Sequence, residues 1–84
     1  MNKIMRLDKY LKVSRIIKRR TIANEACDAG RVIVNGRPAR ASYDVKIDDI
    51  IEINFGTRTV KAQVLAVNET VKKEEAGNMY KIVY

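Results

Sequence analysis

Two regimes of hydrophobic periodicity divide the chain, helical before Gly30 and extended after it. Between residues 4 and 13, Ile4, Leu7, Tyr10 and Leu11 recur at helical intervals, with Arg6, Lys9 and Lys12 falling elsewhere. That spacing predicts an amphipathic helix, because side chains three and four apart share a helix face. A second helical segment runs from about Arg20 to Ala29, with Ile22, Ala23, Ala26 and Cys27 as its apolar face. Gly30 then occupies the position after a helix end where a left-handed residue is favoured. Beyond it Arg31 to Val34 reads as a short strand, and Asn35-Gly36 as a tight turn whose two residues take positive φ. Pro38 has no N–H to give to a ladder, so Arg37 to Ala41 leads away and does not form a central strand. Val45 to Asp49 reads as a loop, Ile50 to Phe55 as a strand broken by Gly56, and Thr57 to Val67 as a long strand. A polar helical turn over Val71 to Ala76 and a last strand from Met79 to Tyr84 complete the chain. With no repeat, linker or low-complexity tract, residues 1–84 are expected to form one α+β domain.

Composition narrows what such a domain does. Trp is absent and Phe occurs once, so the expected core is aliphatic, with Leu7, Leu11, Ala23, Val32 and Val34 at its centre. Cys27 has no partner for an internal disulfide; it reads as a small buried hydrophobe, in keeping with a reducing cytoplasm. Histidine is absent, which removes the commonest general base and the commonest metal ligand together. The expectation is a protein that is not an enzyme, with no metal and no cofactor. The N-terminus carries no long apolar run, so neither a signal peptide nor a membrane span is expected.

Charge changes the picture most. The first 20 residues hold eight bases (Lys3, Arg6, Lys9, Lys12, Arg15, Lys18, Arg19 and Arg20) against one acid, Asp8, which accounts for the whole net charge of +7. The remaining 64 residues carry nine bases and nine acids and sum to zero. Arg6 and Lys9 share a face of the first helix, and Arg15, Lys18, Arg19 and Arg20 cluster at the helix junction. A helix starting near Arg19 adds the positive potential of its free N–H groups. Arg37 and Arg40 extend the same surface. Such a ridge suits phosphate contact better than reading of base edges, and RNA is the first candidate partner. An anionic membrane surface is a weaker one, because the narrow apolar face of the first helix is needed for the core.

These residues carry a resemblance. Arg6-Leu7-Asp8-Lys9-Tyr10-Leu11, then Arg20, Ala23, Gly30 and Val32-x-Val34-Asn35-Gly36, are similar to the S-four domain, an RNA-binding module named after a small-subunit ribosomal protein. The spacing of 24 residues from Arg6 to Gly30 fits that family without gaps, while Arg19 stands where the family usually has Ser or Thr. The resemblance implies two helices forming an L against a small, mainly antiparallel sheet, with the core over about residues 5–55 and a β-rich extension over 56–84. It also implies that Arg6, Lys9, Arg20 and the Asn35-Gly36 turn face RNA. Arg15, Lys18, Arg19 and Arg37 join them on charge, and Asp8 is expected to orient its basic neighbours.

Within the stand-alone members, the stretches Lys12 to Thr21 and Lys72 to Tyr80 resemble the RqcP family of bacterial ribosome-associated quality control. That resemblance implies a factor on the large (50S) ribosomal subunit, touching rRNA and tRNA where a peptidyl-tRNA has stalled. It further implies cooperation with the NEMF-like protein RqcH, which adds alanine tails to the nascent chain. The asymmetric basic face suggests a monomer. Two alternatives stand beside it: a heat-shock-type factor that binds free large subunits carrying peptidyl-tRNA, and a detached RNA-binding subunit of an RNA-modifying enzyme. A third is a protein-interaction module whose basic face meets an acidic partner.

Overall fold

The computed structural model describes residues 5–67 and 78–83. Two helices, α1 (Leu7–Val13) and α2 (Arg20–Asp28), precede five strands: β1 (Val32–Val34), β2 (Arg37–Pro38), β3 (Ile50–Asn54), β4 (Thr59–Val64) and β5 (Tyr80–Ile82). The strands form one sheet in the order β2-β1-β3-β4-β5, every neighbouring pair antiparallel. This is the expected α+β arrangement of a helix pair followed by a small antiparallel sheet.

The N-terminus of α1 is satisfied without a side-chain bond from its N-cap residue, Arg6. Leu7 N–H donates to the Tyr43 carbonyl at 2.8 Å and Asp8 N–H to the Ala41 carbonyl at 3.2 Å. Lys9 N–H donates to Asp8 Oδ1 at 2.8 Å, and Tyr10 N–H to the Arg6 carbonyl at 2.9 Å. The three N–H groups of Leu7, Asp8 and Lys9, which have no acceptor within the helix backbone, are therefore all used, and Tyr10 makes the first ordinary helical bond. These bonds, with Val45 N–H to the Met5 carbonyl at 2.9 Å, lash the start of α1 to the 41–45 segment.

Helix α2 ends as the sequence predicts. Gly30 takes φ +74, its N–H bonds to the Cys27 carbonyl at 3.0 Å, and Arg31 N–H reaches back to the Ala26 carbonyl at 3.0 Å. That double bond pattern closes the helix and turns the chain into β1. At the other end of β1, Asn35 (φ +53) and Gly36 (φ +85) pair Val34 with Arg37 across the expected two-residue turn. Pro38 lies at the sheet edge, where its missing N–H costs nothing.

Alternate residues of β1, β3 and β4 turn inward: Val32 and Val34, Ile51 and Ile53, Ala62 and Val64. They meet Leu7, Leu11 and Ala23 from the helices, and all five core positions read from the sequence are buried. A fully buried leucine contributes about 2 kcal/mol by leaving water, against about 0–1 for an exposed ion pair. The apolar seam, and not the surface charge, holds the helices on the sheet.

The structure corrects several expectations. The core is not purely aliphatic: Met5, Tyr10 and Met79 are among its largest fully buried side chains. Tyr10 is accommodated because its hydroxyl donates to the Met79 carbonyl at 2.7 Å, so no polar group is stranded. Ile22 is 49% exposed, because α2 presents Ala23 and Cys27 inward and Ile22 falls about 140° round the helix from Cys27. The strand expected over Thr57 to Val67 pairs only from Thr59 to Val64. Ile4, the helical turn over Val71 to Ala76, and Tyr84 lie outside the described residues.

Candidate nucleic-acid interface

Asp8 is the organising group of the basic region. Its side chain is 3% exposed, yet it accepts bonds from both helices. Arg6 approaches through Nε at 3.3 Å and Nη2 at 3.4 Å, and Arg20 through Nε at 3.4 Å and Nη2 at 3.4 Å. Asn24 Nδ2 adds a bond at 3.2 Å, beside the Lys9 N–H already described. Burial on its own would raise the carboxyl pKa; the bonds from Asn24, Arg20, Arg6 and Lys9 outweigh it and hold the group below the usual carboxylate range. One carboxylate thus fixes two guanidinium groups that stand fourteen residues apart in sequence, each still about half exposed at 49% and 48%. The expected orienting role of Asp8 is what the geometry provides.

Between the helices, the connector buries Ser14 and Ile17 while Arg15, Lys18 and Arg19 are exposed. Helix α2 then opens on Arg19 with no side-chain cap. Lys18, Arg19 and Arg20 therefore stand at the α2 N-terminus, where the helix dipole has its positive end, and Arg15 is exposed in the same connector just after α1. Arg15 pays a backbone cost to be there (φ +64), as its N–H closes on the Lys12 carbonyl at 3.0 Å. A left-handed conformation costs a residue of this kind about 1 kcal/mol, and only glycine adopts it freely. Arg15→Gly is therefore expected to raise the unfolding free energy by about 0.5–1 kcal/mol while weakening RNA binding. Urea denaturation and a binding titration on the same preparation read the two opposite signs; equal binding would remove Arg15 from the interface.

The surface continues past the helices. Arg6 and Arg40 line one open groove together with Asn24, Asp28 and Ser42, and Arg40 also lines an adjoining groove with Asn35 and Arg37. The Asn35 side chain turns to the fold: Nδ2 donates to Asp49 Oδ1 at 3.0 Å, and Oδ1 accepts the Ile50 N–H at 2.9 Å. Asp49, itself buried, also accepts Tyr43 O–H at 2.8 Å and Lys46 N–H at 2.9 Å. Burial first, then the Asp49 bond, push the Tyr43 hydroxyl up to about 12, so it remains a donor at any ordinary pH. Tyr43 is thus bonded into the fold. Lys9, half-buried on α1, lies one residue beyond Asp8. This second carboxylate hub was not legible in the sequence, where Asp49 is one acid in a loop.

Two further features concern chemistry. Burial, then the charges of Asp8 and Asp28, push the Cys27 thiol up to about 11, which suits an inert packing residue. Among the described residues no His, Cys, Asp or Glu group is arranged to hold a metal ion, and no helix is long and apolar enough to cross a membrane.

Comparison with known proteins agrees with this geometry. The S4 domain family model matches residues 5–51. The RQC P-site tRNA stabilizing factor of Bacillus subtilis is 56% identical over 79 residues, which cover 94% of this chain and 92% of that one. The factor of the same name from Streptococcus pneumoniae is 54% identical over 79 residues, covering 94% and 90%. Among solved structures, the trimeric heat shock protein 15 of Vibrio cholerae superimposes with a TM-score of 0.89 at 27% identity, over 96% of this chain and 83% of that one. A buried carboxylate holding two arginines on a pair of contacting helices, in a chain this similar over nearly its whole length, leads to one assignment: the chain belongs to the S4 domain family and, within it, to the RQC P-site tRNA stabilizing factors.

Proposed function

We propose that this protein is a non-enzymatic RNA-binding factor of the cytoplasm that docks on the large ribosomal subunit carrying a stalled peptidyl-tRNA. Its contacts there are rRNA and tRNA, and its action is to hold a tRNA in position, supporting RqcH-dependent alanine tailing by the RqcH bound to the same particle. It acts as a monomer. The observation that carries this reading is the double fork on Asp8. Arg6 and Arg20 each spend Nε and Nη2 on one carboxylate, which leaves both Nη1 groups for a phosphate. Two preoriented guanidiniums lose less entropy on binding than two free ones. Arg15, Lys18, Arg19 and Lys9 neutralise neighbouring phosphates, and the Asn35-Gly36 turn with Arg37 presents its backbone and charge at the far end of the groove.

The names borne by the relatives support a ribosome-associated RNA-binding role, and the charge distribution supports phosphate contact as its basis. If about five phosphates are neutralised, log affinity falls with log salt at a slope of roughly −4 to −5. The Arg6→Ala, Arg20→Ala double variant should bind large subunits more weakly and reduce that slope by about 2, without unfolding the domain. Pelleting of the purified protein with ribosomal subunits across a salt series measures both. A variant that unfolds while its folded fraction binds RNA as tightly as before would defeat the assignment.

A second reading, a heat-shock-type factor for free large subunits, is favoured by the close superposition on heat shock protein 15. Affinity purification from growing cells with sequencing of crosslinked RNA separates the two. Large-subunit rRNA with tRNA and co-purifying RqcH supports the quality-control reading; the same RNA without RqcH supports the second.

A further inference from the structure

The β3–β4 hairpin ends in an aromatic–arginine pair that the basic ridge does not include. Phe55 N–H donates to the Arg58 carbonyl at 2.8 Å, one step beyond the Asn54–Thr59 pair, so a two-residue loop, Gly56-Thr57, closes the hairpin. Residues two apart on a strand share a face, and so do residues directly opposite in an antiparallel pair. Ile51 and Ile53 face the core, which places Phe55 and Arg58 on the same side of the sheet, just past the end of the core. There the Arg58 guanidinium lies 5.6 Å from the Phe55 ring centroid, and Phe55 is 40% exposed.

This placement is not explained by stability. An exposed Arg–Phe pair contributes about 0.5–1 kcal/mol, less than the roughly 1.5–3 gained by burying such a ring. The single Phe of the chain stands at a hairpin tip while Met5, Tyr10 and Met79 fill the core. Among the described residues, the stretches that flank the tip in sequence carry bases and no acid. Residues 53–68 contain Arg58 and Lys61 and no acid, and residues 78–84 contain Lys81 and no acid. Glu52, the nearest acid along β3, pairs with Lys61 on the opposite face. Arg31 is exposed beside the tip, its carbonyl accepting Asn54 N–H at 2.9 Å.

An aromatic face covered by a guanidinium, with Arg31 exposed on the adjoining strand end, matches a partner that offers a π-surface and a negative charge within one unit. A nucleotide does so. We propose that the Phe55–Arg58 tip is a second nucleic-acid contact, where an unpaired base splayed from a loop or bulge stacks on the Phe55 ring and displaces Arg58 onto the adjoining phosphate. The guanidinium covers the ring until the base takes its place. This deepens the RNA-binding reading above and rests on it: the ridge of residues 6–20 grips backbone whatever its sequence, and the tip selects RNA with an unstacked nucleotide.

The test uses the full chain and two fluorescent RNA stem-loops, one with a single bulged adenosine and one fully paired. The protein should prefer the bulged RNA by about tenfold, within the range measured for one base–aromatic stack. Phe55→Leu, which keeps apolar bulk without a ring, should abolish the preference, and Phe55→Trp should retain it. Arg6→Ala should weaken both RNAs equally and leave the preference intact. The proposal is overturned if the wild-type chain binds the two RNAs alike, or if a folded Phe55→Leu keeps the preference. If instead Arg6→Ala changes neither affinity, it is the ridge reading that fails, and the comparison between Phe55→Leu and Phe55→Trp still decides the tip.

Discussion

Replacing Asp8 by alanine is expected to lower the unfolding free energy by about 2–3 kcal/mol and to weaken RNA binding in the same protein. The side chain is buried and accepts bonds from Arg6, Arg20, Asn24 and the Lys9 N–H. Removing one member of a wholly buried ion pair costs about 3–5 kcal/mol. Here both arginines are half exposed and can turn to water, so the loss is smaller. Binding falls because each guanidinium then regains the rotamers that the carboxylate had excluded. The pH dependence has a definite sign. The folded-state pKa of Asp8 lies below its unfolded value, so its contribution is complete above about pH 4 and is lost as pH falls through the lower, folded value. Asp8→Asn should therefore be less stable than wild type at pH 7, with the gap narrowing as the wild-type carboxylate protonates below pH 4. Urea denaturation at both pH values checks this. A gap that is constant with pH would mean that the charge of Asp8 contributes nothing.

The second large effect is at Asn35. Asn35→Ala is expected to cost about 3 kcal/mol and Asn35→Gly about 2. Alanine at φ +53 adds about 1 kcal/mol of backbone cost that glycine avoids. Both variants lose the bonds to Asp49 and to the Ile50 N–H, and the former is to a buried charge. Asp49 keeps Tyr43 O–H and Lys46 N–H, which limits the damage. Thermal melts of the two variants side by side separate the turn's conformation from its hydrogen bonds. If alanine and glycine are equally harmful, the left-handed backbone is not what selects asparagine here.

Local signals proved the most readable. Gly30 and Asn35-Gly36 each need a positive φ, and both positions were legible because few residues supply one. Core residues at helical and alternate-strand spacing were legible for the same kind of reason: Leu7 and Leu11, or Val32 and Val34, follow a period that one face imposes. Ile22 was misplaced because a nine-residue helix has too few turns to define the edge of its apolar stripe. What the sequence concealed was pairing at a distance. That Asp8 would orient basic neighbours was expected, but that these are Arg6 and Arg20, with Asn24 beside them, depends on how the two helices come together. Asp49 and Asn35, and Phe55 and Arg58, meet through strand register that composition does not encode. The cluster at 15–20 was visible as charge; the left-handed backbone of Arg15 inside it was not.

The bond from Tyr10 to the Met79 carbonyl has a consequence for how the protein is made. It joins residues 69 positions apart, and the same carbonyl also accepts the N–H groups of Leu65 and Ala66. A nascent chain grows from its N-terminus, so the basic segment leaves the ribosome long before Met79 has been added. Until then the Tyr10 hydroxyl lacks its acceptor and the core lacks Met79. Long-range closure of this kind is slow compared with helix formation. Each newly made copy therefore carries its basic segment in an unfinished state while still tethered to a ribosome, and the helix pair reaches its final packing only after synthesis has passed residue 79.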